Sequence, residues 1–134
     1  DTKVLYTPLY GTGRDLMKKL MSRLSINLDL VEEEAVFDGN FPGINVPNPE
    51  EPKVFKLALK KASEYSNKYD IIIGTDPDAD RLGVWVKHNN DYIFLNGNQI
   101  GTIMLYYLLS NRNYKINNNY GKYDENINFK SEYF

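Results

Sequence analysis

The beginning of the chain shows an apolar run followed by apolar positions at helical spacing. Residues 4–6 form a short β-prone run that ends at Thr7 and Pro8. Gly11 and Gly13 then open a segment in which one helical face is apolar, with Leu16, Met17, Leu20, Met21 and Leu24. The pattern predicts a strand, a glycine-containing turn and a helix.

The middle of the chain is richer in glutamate and proline. Residues 31–37 predict a second strand, although three consecutive glutamates interrupt its alternation. Four prolines and two glycines within residues 38–52 forbid a helix there and predict an extended loop of fixed shape. Pro52 suits a helix start. The apolar stripe that follows predicts a second helix running to about Ser66, with Val54, Leu57, Ala58, Ala62 and Tyr65 on one face.

The next segment contains the most β-prone residues of the chain. The unbroken β-branched triplet at residues 71–73 is typical of a strand buried on both faces of an α/β sheet. Residues 82–87 and 92–95 predict two further strands that turn at residues 89–91, and residues 100–109 predict a last helix. Because helices alternate with strands, we expect an α/β fold, a sandwich with a three-layer α/β/α core.

The chain changes character after Ser110, where asparagines are frequent and aliphatic periodicity is lost. We therefore expect an α/β domain over residues 1–110 and an Asn-rich stretch over residues 111–134 that is disordered or an insertion. The first residue is Asp1 rather than Met, and the first predicted strand begins almost at once. We therefore expect the chain to be a piece of a longer protein.

Composition narrows the range of partners and locations. The 134 residues carry 16 basic and 18 acidic side chains, and this net charge of -2 gives no electrostatic reason to expect nucleic acid as a partner. The absence of cysteine excludes disulfides and thiolate metal sites and favours an intracellular location. No apolar run approaches the roughly 20 residues of a membrane span. We expect neither nucleic acid nor a membrane as partner.

The loop after the β-branched triplet holds three carboxylates at alternate positions: Asp76, Asp78 and Asp80. Packed together they would repel one another strongly, and a hard cation resolves that conflict. Oxygen ligands without a nearby Cys or His select Mg²⁺, Ca²⁺ or Mn²⁺ over zinc, and a phosphate ligand favours Mg²⁺. Arg81 adds a cation that can bind a phosphate with two hydrogen bonds. The loop therefore predicts a magnesium site for phosphoryl transfer.

Other interpretations of this loop compete with the metal site. An EF-hand would need a glycine where Arg81 stands and a glutamate where Lys87 stands, so it is excluded. A haloacid-dehalogenase-type phosphatase also places Asp-x-Asp after an apolar strand and would use Asp76 as nucleophile, but it expects Thr or Val where Asp80 stands. That phosphatase remains an alternative, as does a plain turn in which the aspartates bind nothing.

Two further features have simple structural interpretations. Gly11 and Gly13 could bind a phosphate at the N-terminus of the first helix, aided by Arg14 and Lys18. The pattern lacks the third glycine of a dinucleotide-binding fingerprint, so a structural turn is favoured. His88, the only histidine, is expected to be a solvated residue at a strand end rather than a catalytic base.

Three further motifs precede the acidic loop: Tyr-Thr-Pro-Leu-Tyr-Gly-Thr-Gly at residues 6–13, Phe-Pro at residues 41–42 and Pro-Asn-Pro-Glu-Glu-Pro at residues 47–52. In this order they resemble the α-D-phosphohexomutase superfamily of phosphoglucomutases and phosphomannomutases. Residues 6–13 resemble the Thr-Pro-Leu-His-Gly segment that opens the second domain of that family, with Tyr10 in the usual His position. Residues 41–42 and 47–52 match its Phe-Pro and Pro-Asn-Pro-Glu loop. Residues 76–82 match its Asp-Pro-Asp-Ala-Asp-Arg-Leu loop.

A further match concerns the end of the domain. Residues 96–101 are similar to the Gly-Asn-Glu segment that leads into the third domain of the family, with Gln99 replacing the acidic residue. This similarity is greatest in the branch of phosphopentomutases and glucose-1,6-bisphosphate synthases. The resemblance implies that the chain is the second domain of a phosphosugar mutase, an α/β/α sandwich with a mixed sheet, and that residues 96–110 lead toward the third domain.

The resemblance also implies a mechanism. In this family a phosphoserine on the first domain donates its phosphoryl group to a sugar phosphate, and the bisphosphate intermediate then turns over and returns the other phosphate. Carried onto this chain, Asp76, Asp78 and Asp80 ligate Mg²⁺. Arg81 is the catalytic residue that lies beside the transferring phosphoryl group.

By the same resemblance, the activity requires parts that this chain lacks. No serine stands in the Thr-Ala-Ser-His-Asn context of the family nucleophile. We expect the full-length parent to be a cytoplasmic intramolecular phosphotransferase acting on a hexose or pentose phosphate together with its other domains. We expect the fragment alone to be inactive. The phosphatase above and a non-catalytic module that keeps the fold are the alternatives.

Overall fold

A computed structural model describes residues 2–64 and 68–111 of the chain. The strands are β1 (Lys3–Thr7), β2 (Asn27–Leu30), β3 (Ile71–Thr75), β4 (Leu82–His88) and β5 (Asp91–Leu95). The helices are α1 (Gly13–Arg23), α2 (Lys56–Glu64) and α3 (Gly97–Ser110), and two short 3₁₀ helices span Glu32–Glu34 and Pro52–Phe55. The predicted alternation of strands and helices is confirmed, except that the second strand was predicted at the wrong position.

The strands form one mixed sheet of five strands in the order β2-β1-β3-β4-β5. β1 pairs in parallel with β2 and with β3, where Leu5 lies opposite Ile72. β4 runs antiparallel to both β3 and β5, and the turn between β4 and β5 begins with Asn89 at a φ of 57°. Because β1 and β3 are parallel, their carboxyl ends meet at one edge of the sheet, and the segments after Thr7 and Thr75 are neighbours.

Helices cover both faces of the sheet. On one face Leu5 and Ile72 belong to a core cluster with residues from the second 3₁₀ helix and α2: Val54, Phe55, Ala58 and Ala62. Successive residues of a strand point to opposite faces. Tyr6 and Ile73 accordingly lie in the second cluster, where Met17 of α1 also packs. The predicted three-layer α/β/α sandwich is confirmed.

The prediction of a second strand over residues 31–37 was wrong. β2 ends at Leu30, the three glutamates form the first 3₁₀ helix, and Val31 only continues the ladder with one hydrogen bond from its N–H to the Tyr6 carbonyl (2.9 Å). β2 escaped detection because Asn27 and Asp29 occupy its exposed positions, and both residue types are rare in strands. The glutamate run terminates the strand instead of lying within it.

The apolar spacing of α1 predicted the helix but not its inward side. Met21 is buried and Met17 is half-buried against the second core cluster. Leu16, Leu20 and Leu24 are all exposed. The two methionines, rather than the leucines, attach this helix to the sheet.

The ends of two predicted segments fall outside the described residues. α2 ends at Glu64, and the predicted continuation through Tyr65 to Ser66 lies outside the part that is described. The Asn-rich stretch also lies outside it, except for Asn111. The chain divides into two compact units, Asp1–Ile100 and Gly101–Phe134. Among the described residues, no helix has the length and apolar character needed to cross a membrane.

Candidate metal centre

The acidic loop begins where β3 ends at the edge of the sheet. Asp76 is buried (8% exposed), whereas Asp78 and Asp80 are exposed. A tight turn forms the loop, with the Ala79 N–H donating to the Asp76 carbonyl (3.0 Å) and Ala79 at a φ of 62°. Pro77 suits the second position of such a turn because its φ is fixed. The turn folds the chain back so that alternate side chains converge.

The three predicted ligands lie together. One carboxylate oxygen from each of Asp76, Asp78 and Asp80 lies within 4.8 Å of the other two. Opposite oxygens in an octahedral site are separated by twice the metal–oxygen distance, about 4.2 Å for Mg²⁺ and about 4.6–5.2 Å for Ca²⁺. Separations of up to 4.8 Å are compatible with a hard divalent cation such as Mg²⁺ or Ca²⁺ once the oxygens close around it.

Arg81 lies among carboxylates. Its backbone N–H donates to Asp76 Oδ1 (2.9 Å). Its Nε lies 3.9 Å from Asp76 Oδ2 and 3.9 Å from Asp80 Oδ1. Its Nη1 lies 3.9 Å from Glu50 Oε2. The guanidinium offsets part of the negative charge of the loop, and its side chain remains about half exposed and accessible to an anion.

Glu50 was missed as a neighbour of this site. It lies in the Pro-Asn-Pro-Glu loop, which packs against the start of β4 so closely that a β-carbon on Gly83 would come 2.0 Å from the Pro49 carbonyl oxygen. That approach brings Glu50 within reach of Arg81, as described above. The motif itself was visible in the sequence, but its position in space was not, because it is 31 residues from Arg81 along the chain.

The Gly11 and Gly13 positions pack directly against the acidic loop and its base. A β-carbon on Gly11 would lie 2.2 Å from Pro77 Cα, and one on Gly13 would lie 2.3 Å from the Tyr6 hydroxyl. Under this contact the Tyr6 hydroxyl and Thr75 Oγ1 share a buried hydrogen bond of 2.8 Å. Both glycines therefore have a packing role, in line with the structural interpretation of the glycine pattern.

Tyr10, which occupies the usual His position of the resemblance, holds the Phe-Pro segment. Its hydroxyl donates to the Pro42 carbonyl (2.9 Å), and its ring meets Phe41 edge to face with 6.4 Å between centroids. The backbone of Tyr10 adopts a φ of 65°, which is uncommon for a residue with a side chain. Tyr10 thus links the turn after β1 to the proline-rich loop.

A buried carboxyl group lies beside the same turn. Glu34 is 2% exposed, and its Oε2 accepts a hydrogen bond of 2.5 Å from Thr7 Oγ1. Burial raises the pKa of the Glu34 carboxyl, while the Thr7 hydrogen bond opposes the rise and the charge of Glu33 adds to it. Sequence reasoning missed this residue because it stands in a run of three glutamates, a pattern typical of a solvated surface.

His88 and Trp85 take no part in the acidic loop. His88 is exposed at the C-terminal end of β4, whereas Arg81 precedes the first residue of this strand. Trp85 packs in an aromatic group with Phe55 and Phe94, at centroid distances of 6.1 and 5.3 Å. Among the described residues, Trp85 Nε1 is a buried nitrogen without a hydrogen-bond partner. Core packing accounts for the tryptophan.

Comparison with known protein families assigns this fold to one class. Residues 1–89 match the sequence model of the phosphoglucomutase/phosphomannomutase α/β/α domain II. The chain therefore belongs to the phosphoglucomutase/phosphomannomutase family, as one domain of it. The matched range includes the whole acidic loop and ends at the turn between β4 and β5.

Individual relatives agree with the family assignment. The chain is 36% identical over 115 residues to a phosphomannomutase of Mycoplasmoides pirum, covering 85% of this chain and 21% of the relative. It is likewise 36% identical over 115 residues to a phosphoglucomutase of Staphylococcus haemolyticus, covering 84% of this chain and 21% of the relative. The chain thus spans about one fifth of the length of the curated relatives it matches.

Solved structures share the fold. A phosphoglucomutase/phosphomannomutase family protein from Burkholderia thailandensis superposes with a TM-score of 0.69 at 23% identity, over 83% of this chain and 22% of that one. A candidate phosphomannomutase from Thermus thermophilus gives a TM-score of 0.62 at 25% identity, over 82% of this chain and 24% of that one. These similarities support the α/β architecture with its mixed sheet.

Proposed function

We propose that this chain is the metal-binding domain of a phosphosugar mutase and that its acidic loop holds Mg²⁺. The observation that carries the proposal is the convergence of the three aspartates within 4.8 Å at the carboxyl edge of β3, in a chain that belongs to this family. Three carboxylates so close together repel one another unless a cation is bound. Cation binding at the loop would relieve that repulsion.

Each residue of the loop has a proposed role. Asp76, Asp78 and Asp80 ligate the ion, and the buried Asp76 fixes its position because Arg81 N–H already restrains one of its oxygens. A bound Mg²⁺ neutralises charge that develops on a transferring phosphoryl group. The nucleophilic serine belongs to another domain of the parent, since no serine of this chain stands in the family context. The chain alone is therefore inactive.

Arg81 binds the phosphoryl group in this proposal. Its guanidinium lies 3.9 Å from oxygens of three carboxylates, and such exposed, loose pairs contribute little to stability. When the aspartates are engaged with a cation, they hold the guanidinium less, and its planar donors are available to a phosphate. Glu50 then remains as the carboxylate that restrains it.

The substrate of the parent is a hexose or pentose phosphate, and the parent acts in the cytoplasm. The relatives are named for glucose and mannose phosphates, and the phosphopentomutase or bisphosphate-synthase branch stays a prediction. Residues 96–110 lead toward the next domain of the parent. Family membership argues against the haloacid-dehalogenase-type phosphatase. The complete aspartate triad argues against a non-catalytic module.

Calorimetric titration tests the metal site. Mg²⁺ and, separately, Ca²⁺ are titrated into the chain, its Asp78→Ala variant and an Asp91→Ala control, whose carboxylate belongs to the first residue of β5. The proposal predicts saturable binding of one ion by the chain and by the control, with binding lost in Asp78→Ala. Equal heats for all three proteins would refute a specific site at the loop.

A further inference from the structure

Thr12, in the glycine-containing turn before α1, forms hydrogen bonds with the acidic loop. Thr12 donates two hydrogen bonds to the same carbonyl oxygen, that of Pro77: one from its backbone N–H (2.8 Å) and one from Oγ1 (3.0 Å). A carbonyl oxygen has two lone pairs, so both bonds can form at once. Pro77 stands between two of the three proposed ligands, and 65 residues separate it from Thr12.

The Thr12 hydroxyl is not used to cap its own helix. Thr12 is the residue before α1, where a threonine side chain commonly accepts a hydrogen bond from an amide in the first helical turn. Here the side chain makes no capping hydrogen bond, and the Thr12 backbone is already helical (φ -82°, ψ -13°). The hydroxyl instead points to Pro77, so helix capping does not explain this residue.

Holding the Pro77 carbonyl restrains the peptide group that leads into Asp78. The carbonyl of Pro77 and the N–H of Asp78 belong to one planar peptide group, so restraining the oxygen limits the rotation of that plane. The close approach of Gly11 to Pro77, described above, restrains the same residue from the side. These restraints oppose the mutual repulsion that would spread the three aspartates in the absence of a cation.

We propose that Thr12 is a positioning residue for the metal loop: its hydroxyl holds the Pro77–Asp78 peptide so that the aspartates converge before a cation arrives. The proposal rests on the proposed metal site. Thr12 is not one of the proposed ligands, and it acts only through the loop. Because the ligands are already close together, less of the free energy of cation binding is offset by ordering the loop.

The test compares removal of the hydroxyl with its retention. Thr12→Val deletes the hydroxyl at nearly constant volume, and Thr12→Ser keeps it; Thr12→Ala is a second deletion if the valine variant fails to fold. Mn²⁺ is titrated into each protein and followed by the electron paramagnetic resonance signal of the free ion. Loss of one hydrogen bond predicts about three- to ten-fold weaker binding in Thr12→Val and a change of less than about two-fold in Thr12→Ser.

Amide hydrogen exchange without metal gives a second readout. The Ala79 N–H, which closes the turn of the loop, should exchange faster in Thr12→Val than in Thr12→Ser. Equal Mn²⁺ affinity and equal Ala79 exchange in the two variants would overturn the positioning role while leaving the metal site intact. Equal weakening in both variants, with matching falls in unfolding temperature, would also overturn it. If the unaltered chain does not bind Mn²⁺, the metal site is rejected, and the positioning role with it.

Discussion

The carbonyl oxygen of Pro49 lies against Gly83 at a distance that leaves no room for a β-carbon, which would come within 2.0 Å of that oxygen. Gly83 is the second residue of β4 and pairs with Gly74 of β3, so neither strand carries a side chain at this pair. The ring of Phe55 fills the space above the pair, within 2.6 Å of a β-carbon on Gly74 and 2.9 Å of one on Gly83. This packing brings the loop that carries Glu50 close to Arg81 beside the acidic loop.

Gly83→Ala should therefore destabilise the protein. The new methyl group meets backbone on one side and a buried ring on the other, and such overpacking costs about 1–3 kcal/mol. The free energy of unfolding, measured by urea denaturation, should fall by that amount. Gly39→Ala is the matched control, because a β-carbon there would have no neighbour within 4 Å. Equal stability of the two variants would show that the proline-rich loop does not pack as described.

The hydrogen bond between Tyr6 and Thr75 should stabilise the base of the metal loop. Tyr6→Phe leaves Thr75 Oγ1 without its partner in a buried position, which costs about 1–3 kcal/mol. Adding Thr75→Val removes the orphaned hydroxyl, so the double variant should be less destabilised than the sum of the single variants. Denaturation of all four proteins in a double-mutant cycle measures this coupling. Strictly additive effects would mean that the two hydroxyls do not interact.

Glu34→Gln should stabilise the chain relative to the unaltered protein at neutral pH. At low pH, where Glu34 itself is protonated, this stabilisation should be smaller. The pKa of Glu34 is raised in the folded state, chiefly by burial. The folded state therefore keeps its proton to higher pH than the unfolded state, and stability falls from about pH 4.3 upward until the folded pKa is passed. Glutamine is always neutral and avoids this loss.

Urea denaturation at pH 4 and pH 7 checks the Glu34 prediction. The stability of Glu34→Gln relative to the unaltered chain should rise between the two pH values. Glu32→Gln, which alters an exposed neighbour in the same 3₁₀ helix, should show no such rise. A relative stability of Glu34→Gln that is independent of pH would contradict a raised pKa.

Much of this architecture could be predicted from local patterns. The β-branched triplet of β3 and the alternate aspartates after it lie in one short segment, so the strand and the acidic loop are visible without the fold. β2 was not predicted, because only Leu28 and Leu30 mark it as a strand. Its extended conformation depends on the parallel pairing with β1. A short edge strand of this kind depends on its neighbour more than on its own residues.

The residues that pack around the acidic loop were harder to predict than its aspartates. Thr12 and Pro77 are far apart in sequence, and no local rule connects a glycine turn with an aspartate loop. Glu34 differs from Glu32 and Glu33 only in its direction, which the 3₁₀ helix determines after β2 ends. Contacts of this type follow from the packing of elements, whereas the three proposed ligands were recognised from residue type and spacing.

Asp78→Asn should affect stability in opposite directions with and without metal. In chelator, removing one of three clustered charges relieves repulsion of about 1 kcal/mol or less at an exposed position, so the unfolding temperature should rise slightly. In excess Mg²⁺ the unaltered chain should gain stability from ligand binding, and the variant should gain less. Thermal unfolding in both conditions measures this. Identical Mg²⁺ shifts in the two proteins would contradict a role for Asp78 as a ligand.

The most direct test of the metal site locates the ion by nuclear magnetic resonance. Substoichiometric Mn²⁺ is added to the isotope-labelled chain, and paramagnetic broadening is recorded for each backbone amide. We predict that the signals of residues 76–81 broaden first, while those of the turn between β4 and β5 at residues 89–90 persist. Broadening that spares residues 76–81, or that spreads evenly over the acidic surface, would contradict the account of this domain as the metal carrier of a phosphosugar mutase.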